Sequence, residues 1–428
     1  MGITPSHIPH TESRDAAKHI VRTLAAHGHI AYFAGGCVRD ELLGLVPTDY
    51  DVATDAVPNR IAELFPRTAQ VGASFGVMLV KIGRVVVEVA TFRADGTYTD
   101  NRRPDSVRFS TPEEDAQRRD FTVNALFLDP LAPDANRAII DHVGGLPDLA
   151  SRVLRAVGNP DARLNEDHLR ALRAARLAAK LGFTVDPATA RAIRNHAAHL
   201  SGVSRERIGE EIRRMLGHPS RARAAALLRE LSLEGPALQL SPPTIAAGPS
   251  PSNPFPRLAA LAPTDAMALY PMTLAAWVLD LGLEQAAPDP ASQLRSALCL
   301  SNEDLTWLRA ILIHHHTLRI SWAGAPVAQQ KRWAASRGFA EAVEILRTTD
   351  PAPAQAIAAR VHELAQTHGG LAPVPLLDGD HLQRLGLKPG PSFKHILDQV
   401  YDAQLEGRVR DLAGASDLAL RVATDRTT

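Results

Sequence analysis

The sequence is poor in cysteine and in aromatic residues, and it contains no long apolar run. Its 428 residues include two cysteines, and Phe, Trp and Tyr together make up 5%. Two cysteines cannot form a disulfide framework, so we expect a reducing compartment, the cytoplasm. No apolar run approaches the roughly 20 residues of a membrane-spanning helix, and the N-terminal residues lack the charged-then-apolar layout of a secretion signal. These absences predict a protein without a membrane partner.

The chain also lacks net charge, since 47 basic residues balance 47 acidic ones. This average hides a local asymmetry. Residues 151–230 contain 16 Lys and Arg but 8 Asp and Glu, an excess of eight positive charges. Such a stretch is typical of a surface that binds nucleic-acid phosphates. Arginine accounts for 41 of the 47 basic residues, so a bias in composition is the alternative explanation.

Length and residue pattern predict several domains with much helix. A hydrophobic content of 45% and a charged content of 22% are typical of a folded globular protein, and about 150 residues per domain suggests two to four domains. Strand and helix patterns alternate up to about residue 145, and helices dominate afterwards. We predict an α+β fold with these parts: a head at 13–147, a helical neck at 148–231, a Pro/Ser-rich linker at 232–257, a helical body at 258–370 and a helical tail at 371–428. The neck is predicted to contain helices at 161–181, 187–200, 204–216 and 219–231.

A glycine pair followed by two aspartates is the most informative pattern. Gly35 and Gly36 end a predicted strand and open a helix, which leaves backbone N–H groups for phosphates, and Arg39 adds a forked cation one turn later. Asp49 and Asp51 are two apart on a predicted strand and therefore point to one face. Paired carboxylates bind Mg²⁺, and two such ions can stabilise the attacking and leaving oxygens of phosphoryl transfer. A solvated turn with incidental acids is the alternative. The glycines and the arginine favour a nucleotidyltransferase site with both aspartates as catalytic metal ligands.

These residues belong to a series of motifs that resembles class II CCA-adding enzymes (tRNA nucleotidyltransferases), relatives of bacterial poly(A) polymerases. The resemblance is continuous from about residue 30 to 216, and a weaker one covers 371–407. Four more motifs follow in order: TFRADGTYTDNRRPDSVRF at 91–109, EEDAQRRDFTVNAL at 113–126, EDHLR at 166–170 and SRERIGEEIRRML at 204–216. The resemblance implies a polymerase-β-like nucleotidyltransferase head followed by an all-α neck, body and tail. It also implies Mg²⁺-dependent addition of C and A to the 3′ end of tRNA from CTP and ATP.

The resemblance also implies roles for residues of the head. Arg119 and Asp120, in the RRD motif, would hold the ribose and phosphates, with support from Asn124. Glu88 alternates with valines on a predicted strand, so it is a candidate third carboxylate near the metals. A polar residue on the outer face of that strand would have the same pattern.

The EDHLR motif carries the predicted reader of the base. Asp167, Arg170, Arg173 and Arg176 are spaced by three and would share one helix face. A solvated charged stripe is the alternative. The resemblance implies that Asp167 and Arg170 read the incoming base. Cytosine and adenine each place an amine donor beside a ring-nitrogen acceptor, which matches an acceptor-only Asp next to a donor-only Arg. Arg173 and Arg176 would then reach toward the base or triphosphate.

The loop at 93–102 is implied to reshape the pocket between C and A through Arg93, Asp95, Tyr98 and Arg102. The segment after the first motif lacks the basic residues typical of poly(A) polymerases, which favours tRNA end addition. A CC-adding or A-adding enzyme, a poly(A) polymerase and a catalytically silent RNA-binding protein stay as alternatives. The oligomeric state is not predicted.

One histidine run is a further candidate for metal binding. The consecutive residues 314–316 cannot all face one metal ion on a helix. We therefore expect them to form a partly exposed polar patch.

Overall fold

A mixed seven-stranded sheet organises the first part of the chain. The computed structural model describes residues 11–70, 76–95, 107–134, 138–240, 254–262, 266–283 and 289–424 and divides the chain after Leu240 into two units. The strands of the first unit are β1 (Ala31–Ala34), β2 (Asp51–Thr54), β3 (Thr68–Gln70), β4 (Val77–Ile82), β5 (Val85–Thr91), β6 (Arg93–Asp95), β7 (Val107–Phe109), β8 (Phe127–Leu128), β9 (Ile139–Ile140), β10 (Val153–Leu154) and β11 (Thr184–Val185). The main sheet has the order β3-β4-β5-β2-β1-β8-β9. Its neighbouring strands are antiparallel except β2 and β5, which run parallel.

Eleven helices surround and follow this sheet in the described part of the first unit. They are α1 (Glu12–Ala26), α2 (Gly36–Leu42), α3 (Pro58–Leu64), α4 (Pro112–Gln117), α5 (Gly145–Ala150), α6 (Pro160–Glu166), α7 (Arg170–Leu181), α8 (Pro187–His196), α9 (Arg205–Leu216), α10 (Arg221–Glu230) and α11 (Glu234–Leu238). Short 3₁₀ helices occupy Thr122–Asn124 and Ala197–Gly202.

Local sequence explains the elements that position the site. The valine-rich runs of β4 and β5 suit a pleated sheet, and Gly83 provides the positive φ of 59° at their turn. Pro58 occupies the first turn of α3, where its missing N–H costs nothing. The β2 strand is shorter than predicted, because it begins at Asp51. Asp49 lies in the preceding irregular segment and is exposed, so the two aspartates do not share a strand.

The predicted neck helix at 161–181 is wrong in one respect, since it is two helices. Asp167 adopts an extended conformation with φ −152° and ψ 104°, and its Oδ1 accepts a hydrogen bond from the N–H of Leu169 at 3.0 Å. This side-chain bond competes with helical bonding. The α6 helix therefore ends at Glu166, and α7 begins at Arg170.

The second unit is helical throughout its described residues. Its helices are α12 (Pro256–Ala260), α13 (Ala266–Asp280), α14 (Pro290–Leu298), α15 (Asn302–Ile320), α16 (Val327–Ala334), α17 (Phe339–Thr349), α18 (Pro351–Gln366), α19 (Gly379–Arg384), α20 (Ser392–Leu405) and α21 (Leu412–Thr424). The core includes Trp277, and Trp322 packs on Phe339 with ring centroids 5.2 Å apart. A sheet-bearing first unit and a helical second unit confirm the predicted α+β class.

Two expectations for the later chain need correction. The predicted linker at 232–257 contains α11, whose Ala237 and Leu238 are fully buried and give it a packing face; residues 241–253 lie outside the described residues. His314 and His315 are buried in α15 rather than part of an exposed patch, because they face its packed side, and His316 is exposed. The boundary at 147/148 stays a prediction. Among the described residues, no helix is both long and apolar enough to cross a bilayer.

Candidate active site

A cavity of about 580 Å³ in the first unit gathers the predicted site residues. Nine of the ten line it: Gly36, Arg39, Asp51, Arg119, Asp120, Asp167, Arg170, Arg173 and Arg176. Asp49 is not among the lining residues. Sequence reasoning also missed several that are, among them Arg118, Lys180 and Arg207.

Two carboxylates meet on one face of the sheet. Asp51 on β2 is directly opposite Glu88 on the parallel strand β5, and both line the cavity. Both side chains keep contact with solvent. Partial removal from water inside the cavity, then the charges of Glu88 and Asp49, raise the pKa of Asp51 to about 6, against the lowering influence of Arg119. The sequence identified Glu88 only as a candidate, because neighbouring strands in a sheet cannot be read from one chain segment. These crowded oxygen donors suit a divalent cation.

At the glycine corner, the backbone of Gly35 packs closely against the side chain of Arg119. Gly35 has φ 78°, and a Cβ added there would lie 3.1 Å from Nη1 of Arg119. Its N–H is engaged, because it donates to the carbonyl of Leu126 at 3.2 Å. Arg39 is buried and donates to Asp40 at 2.6 Å and to the side-chain oxygen of Asn124. Arg39 therefore supports the corner as well as lining the cavity.

A buried carboxylate that sequence reasoning missed orients the RRD motif. Asp115 is 1% exposed and accepts hydrogen bonds from Arg118 at 2.7 Å and from Arg119 at 3.0 Å. Burial opposes its ionisation, but the charges of the two arginines and their hydrogen bonds lower its pKa below the ordinary value. The spacing of three and four residues on a helical segment was the available signal. Asp115 thus fixes where both guanidinium groups point.

Asp120 and Arg173 join the RRD motif to α7. The Oδ2 atom of Asp120 accepts from Nη2 of Arg173 at 2.6 Å, and its Oδ1 accepts from Asn124 at 3.0 Å. Burial again opposes ionisation, yet the charge of Arg173 and these hydrogen bonds lower the pKa of Asp120 to about 2. The ion pair therefore links the RRD motif to α7.

The predicted base readers lie at the junction of α6 and α7, and each has an additional partner. Asp167 accepts from Nη2 of Arg207, on α9, at 2.7 Å. Arg170 donates to Glu166 at 2.6 Å and to the carbonyls of Arg163 and Arg118. Arg207 lies 40 residues beyond Asp167 in the chain, so only the fold brings them together. Both readers are held in fixed orientations.

The arginines of α7 follow the predicted periodicity. Arg170, Arg173 and Arg176 line the cavity from consecutive turns, as spacing by three predicts. Arg176 donates to the buried Glu211 of α9 at 2.6 Å. Of the predicted loop residues, Arg93 also lines the cavity, whereas Tyr98 and Arg102 lie outside the described residues.

Comparison with known proteins identifies the family. Residues 31–155 match the family described as the Poly A polymerase head domain, and residues 182–236 match the family described as a probable RNA and SrmB-binding site of polymerase A. A CCA-adding enzyme of Limosilactobacillus fermentum is 34% identical over 413 residues, which cover 92% of this chain and 93% of that protein. The chain belongs to the CCA-adding enzyme family. Membership implies dependence on a divalent metal ion.

Two further similarities describe how far the likeness extends. A CCA-adding enzyme of Geobacillus thermodenitrificans is 44% identical over 215 residues, and the alignment spans 50% of this chain and about half, 52%, of that relative. The crystal structure of the Bacillus stearothermophilus CCA-adding enzyme in complex with CTP has a TM-score of 0.78 and 29% identity, covering 98% of this chain and 100% of that one. The predicted family and the class of fold are therefore confirmed.

Proposed function

We propose that this family member adds C and A residues to the 3′ end of tRNA from CTP and ATP and releases diphosphate. The main support is that one cavity contains both the Asp51–Glu88 carboxylate pair and the Asp167 and Arg170 side chains. A metal-binding carboxylate pair serves phosphoryl transfer, and the second pair serves base choice. We assign the cytoplasm as its compartment, because tRNA and both nucleotides are available there.

The carboxylates fit a divalent cation, and we propose Mg²⁺. All donors are oxygens, and the mutual repulsion that helps raise the pKa of Asp51 to about 6 would be relieved by a cation beside it. Asp49 and Asp51 would hold the ion, and Glu88, opposite Asp51 on β5, is the candidate third carboxylate. A bound Mg²⁺ supplies positive charge to the reacting phosphate oxygens.

The remaining cavity residues would position the nucleotide. Arg119 reaches the glycine corner with its direction set by Asp115, which suits it to a phosphate oxygen. Asp120 and Arg173 would border the ribose. In the reaction the 3′ hydroxyl of the tRNA attacks the α-phosphorus, its P–O bond to the diphosphate breaks, and the hydroxyl proton leaves to a base or water. Orientation and charge stabilisation account for most of such catalysis.

Base choice would depend on unused hydrogen-bonding capacity at the α6–α7 junction. A carboxylate accepts about four hydrogen bonds, and Asp167 uses two within the described residues, from Leu169 and Arg207. Asp167 can therefore still accept from the exocyclic amine of C or A. Arg170 has about five N–H donors, with three bonds made to other described groups. It retains donors for the adjacent ring nitrogen.

The activity is tested with three tRNAs that end at the discriminator base, at C and at CC, each offered CTP or ATP alone and together. We expect C on the first two and A on the third. Asp51→Ala should lower incorporation at least ~10³-fold, whereas the exposed control Glu63→Ala on α3 should retain the parent rate. Addition of C only, of A only, or of a long A tail to unrelated RNA would identify one of the alternatives. No incorporation with a folded parent protein would favour a silent RNA-binding protein.

The base-reading assignment has its own test. Asp167→Ala removes the group that disfavours a carbonyl, so U and G should gain at least ~10-fold relative to C and A, even as turnover falls. Arg170→Ala should weaken use of C and A without a matching gain of U. The exposed neighbour Asn165→Ala is the control. Unchanged C-to-U and A-to-G ratios in a folded, active Asp167→Ala enzyme would contradict the assignment.

A further inference from the structure

Three histidines converge at the α6–α7 junction, and none of them lines the cavity described above. His168 lies in the turn between α6 and α7, His196 ends α8, and His199 lies in the following 3₁₀ helix. One potential ligand atom from each lies within 4.8 Å of the others. These positions are 28 and 3 residues apart in the chain, so the sequence pattern did not reveal them.

The contacts of His196 match those of a metal ligand. Its Nε2 lies 3.0 Å from the carboxylate of Asp161, which can only accept, so that nitrogen carries the proton. The Nδ1 atom then presents a lone pair, and it lies 3.3 Å from Nδ1 of His199. Two nitrogens on one tetrahedral zinc ion, with bonds of about 2.0–2.1 Å, lie roughly 3.3–3.4 Å apart. A carboxylate behind the imidazole is the common arrangement at zinc sites.

His168 is the buried member of the cluster. The residue is 8% exposed, and its Nδ1 has no hydrogen-bond partner in the described part of the chain. A buried polar atom without a partner costs free energy that a ligand would recover.

We propose that His168, His196 and His199 bind a zinc ion, with Asp161 orienting His196 from behind. Three imidazole nitrogens select a borderline divalent metal such as Zn²⁺ over Mg²⁺, which prefers oxygen. The exposed His199 leaves a route for the ion from solvent. Bound zinc would link the turn between α6 and α7, which contains Asp167, to the end of α8 and make that turn more rigid. The proposed site does not depend on the proposed function.

The test uses full-length protein without a histidine tag. After incubation with Zn²⁺ and removal of excess ion, metal content is measured by mass spectrometry, and affinity by competition with a chromophoric chelator. We expect about one zinc per chain at this site. His199→Ala, an exposed position, should weaken that binding at least ~10-fold, and Asp161→Ala should weaken it to a smaller degree. Co²⁺ should give an intense tetrahedral visible spectrum that excess Mg²⁺ leaves in place.

Two controls separate this site from other binding. His368→Ala removes an exposed histidine elsewhere and should change nothing. Asp51→Ala removes a carboxylate of the catalytic cavity, so zinc lost with that variant belongs to the cavity. Absence of retained zinc in the parent, or equal zinc affinity in the parent and in folded His199→Ala, would overturn the proposal. Neither outcome bears on nucleotide addition.

Discussion

The buried His315 should make the second unit sensitive to mild acid. This residue is 1% exposed on α15, and neither ring nitrogen has a hydrogen-bond partner in the described residues. Removal from water, then the charges of Arg257, Arg319 and His316, lower its pKa to about 4, with Asp350 opposing. The folded unit therefore holds a neutral imidazole where an unfolded chain would bind a proton.

The sign and size of the effect follow from proton linkage. Between about pH 6.5 and 4 the unfolded chain binds more protons than the folded one, so stability is complete above the unfolded pKa and falls as the pH drops. With pKa values of about 6.5 unfolded and about 4 folded, the free energy of unfolding falls by about 2 kcal/mol between roughly pH 7.5 and 5. His314, also buried, has a pKa lowered by removal from water and acts in the same direction.

The variant His315→Leu should remove this share of the acid sensitivity. Replacement of an unpartnered polar ring by an apolar group of similar size removes a burial cost, so the variant should be at least as stable as the parent at about pH 7.5. Its advantage over the parent should grow by about 2 kcal/mol between about pH 7.5 and pH 5. All four tryptophans lie between residues 277 and 333, so tryptophan fluorescence in urea reports this unit alone. The exposed neighbour His316→Leu is the matched control. Parallel pH curves for parent and His315→Leu would refute the reasoning.

Two further predictions concern the stability of the first unit, which has no tryptophan. Its free energy of unfolding is measured in urea by far-UV circular dichroism, from the transition that tryptophan fluorescence does not follow. Asp115→Ala leaves two arginines without their buried carboxylate, so it should lower the free energy of unfolding by about 3–5 kcal/mol and weaken nucleotide binding. The control Glu113→Ala, at an exposed position of the same helix, should lower it by less than ~0.5 kcal/mol. Equal stabilities of the two variants would contradict the buried-pair argument. Gly145→Ala would place a Cβ against the backbone carbonyl of Thr122 and should lower the free energy of unfolding by about 1–3 kcal/mol or more. The control Gly202→Ala has open space around the new Cβ and should change it little. An unchanged stability of Gly145→Ala would show that the backbone shifts there without cost.

The sequence was sufficient where local chemistry determines structure. The strand–glycine–helix corner at Gly35 and the hairpin at Gly83 need only short-range rules, and the structure has both. The stripe of α7 follows from helical periodicity alone. The motif residues could be named for a different reason, because each motif is a short segment that resembles one of the CCA-adding enzyme family.

What the sequence did not predict depends on contacts between distant segments. Arg207 reaches Asp167 across 40 residues, and strand pairing brings Glu88 beside Asp51. The break at Asp167 depends on one side-chain hydrogen bond to the backbone, which helical periodicity does not include. Asp115 was visible at helical spacing, but its importance comes from burial, which a single sequence does not give.

The pairing of the cavity arginines has a consequence for how a ligand would enter. Each of the five predicted nucleotide-binding arginines already has a carboxylate partner: Arg39 with Asp40, Arg119 with Asp115, Arg170 with Glu166, Arg173 with Asp120 and Arg176 with Glu211. An incoming triphosphate would therefore share these guanidinium groups with the resident carboxylates, through the N–H donors that the ion pairs leave over. The carboxylates also offset much of the positive charge of the cavity, so charge alone would attract sulfate or free phosphate only weakly. A ligand would then depend on the directions in which the carboxylates hold the arginine side chains.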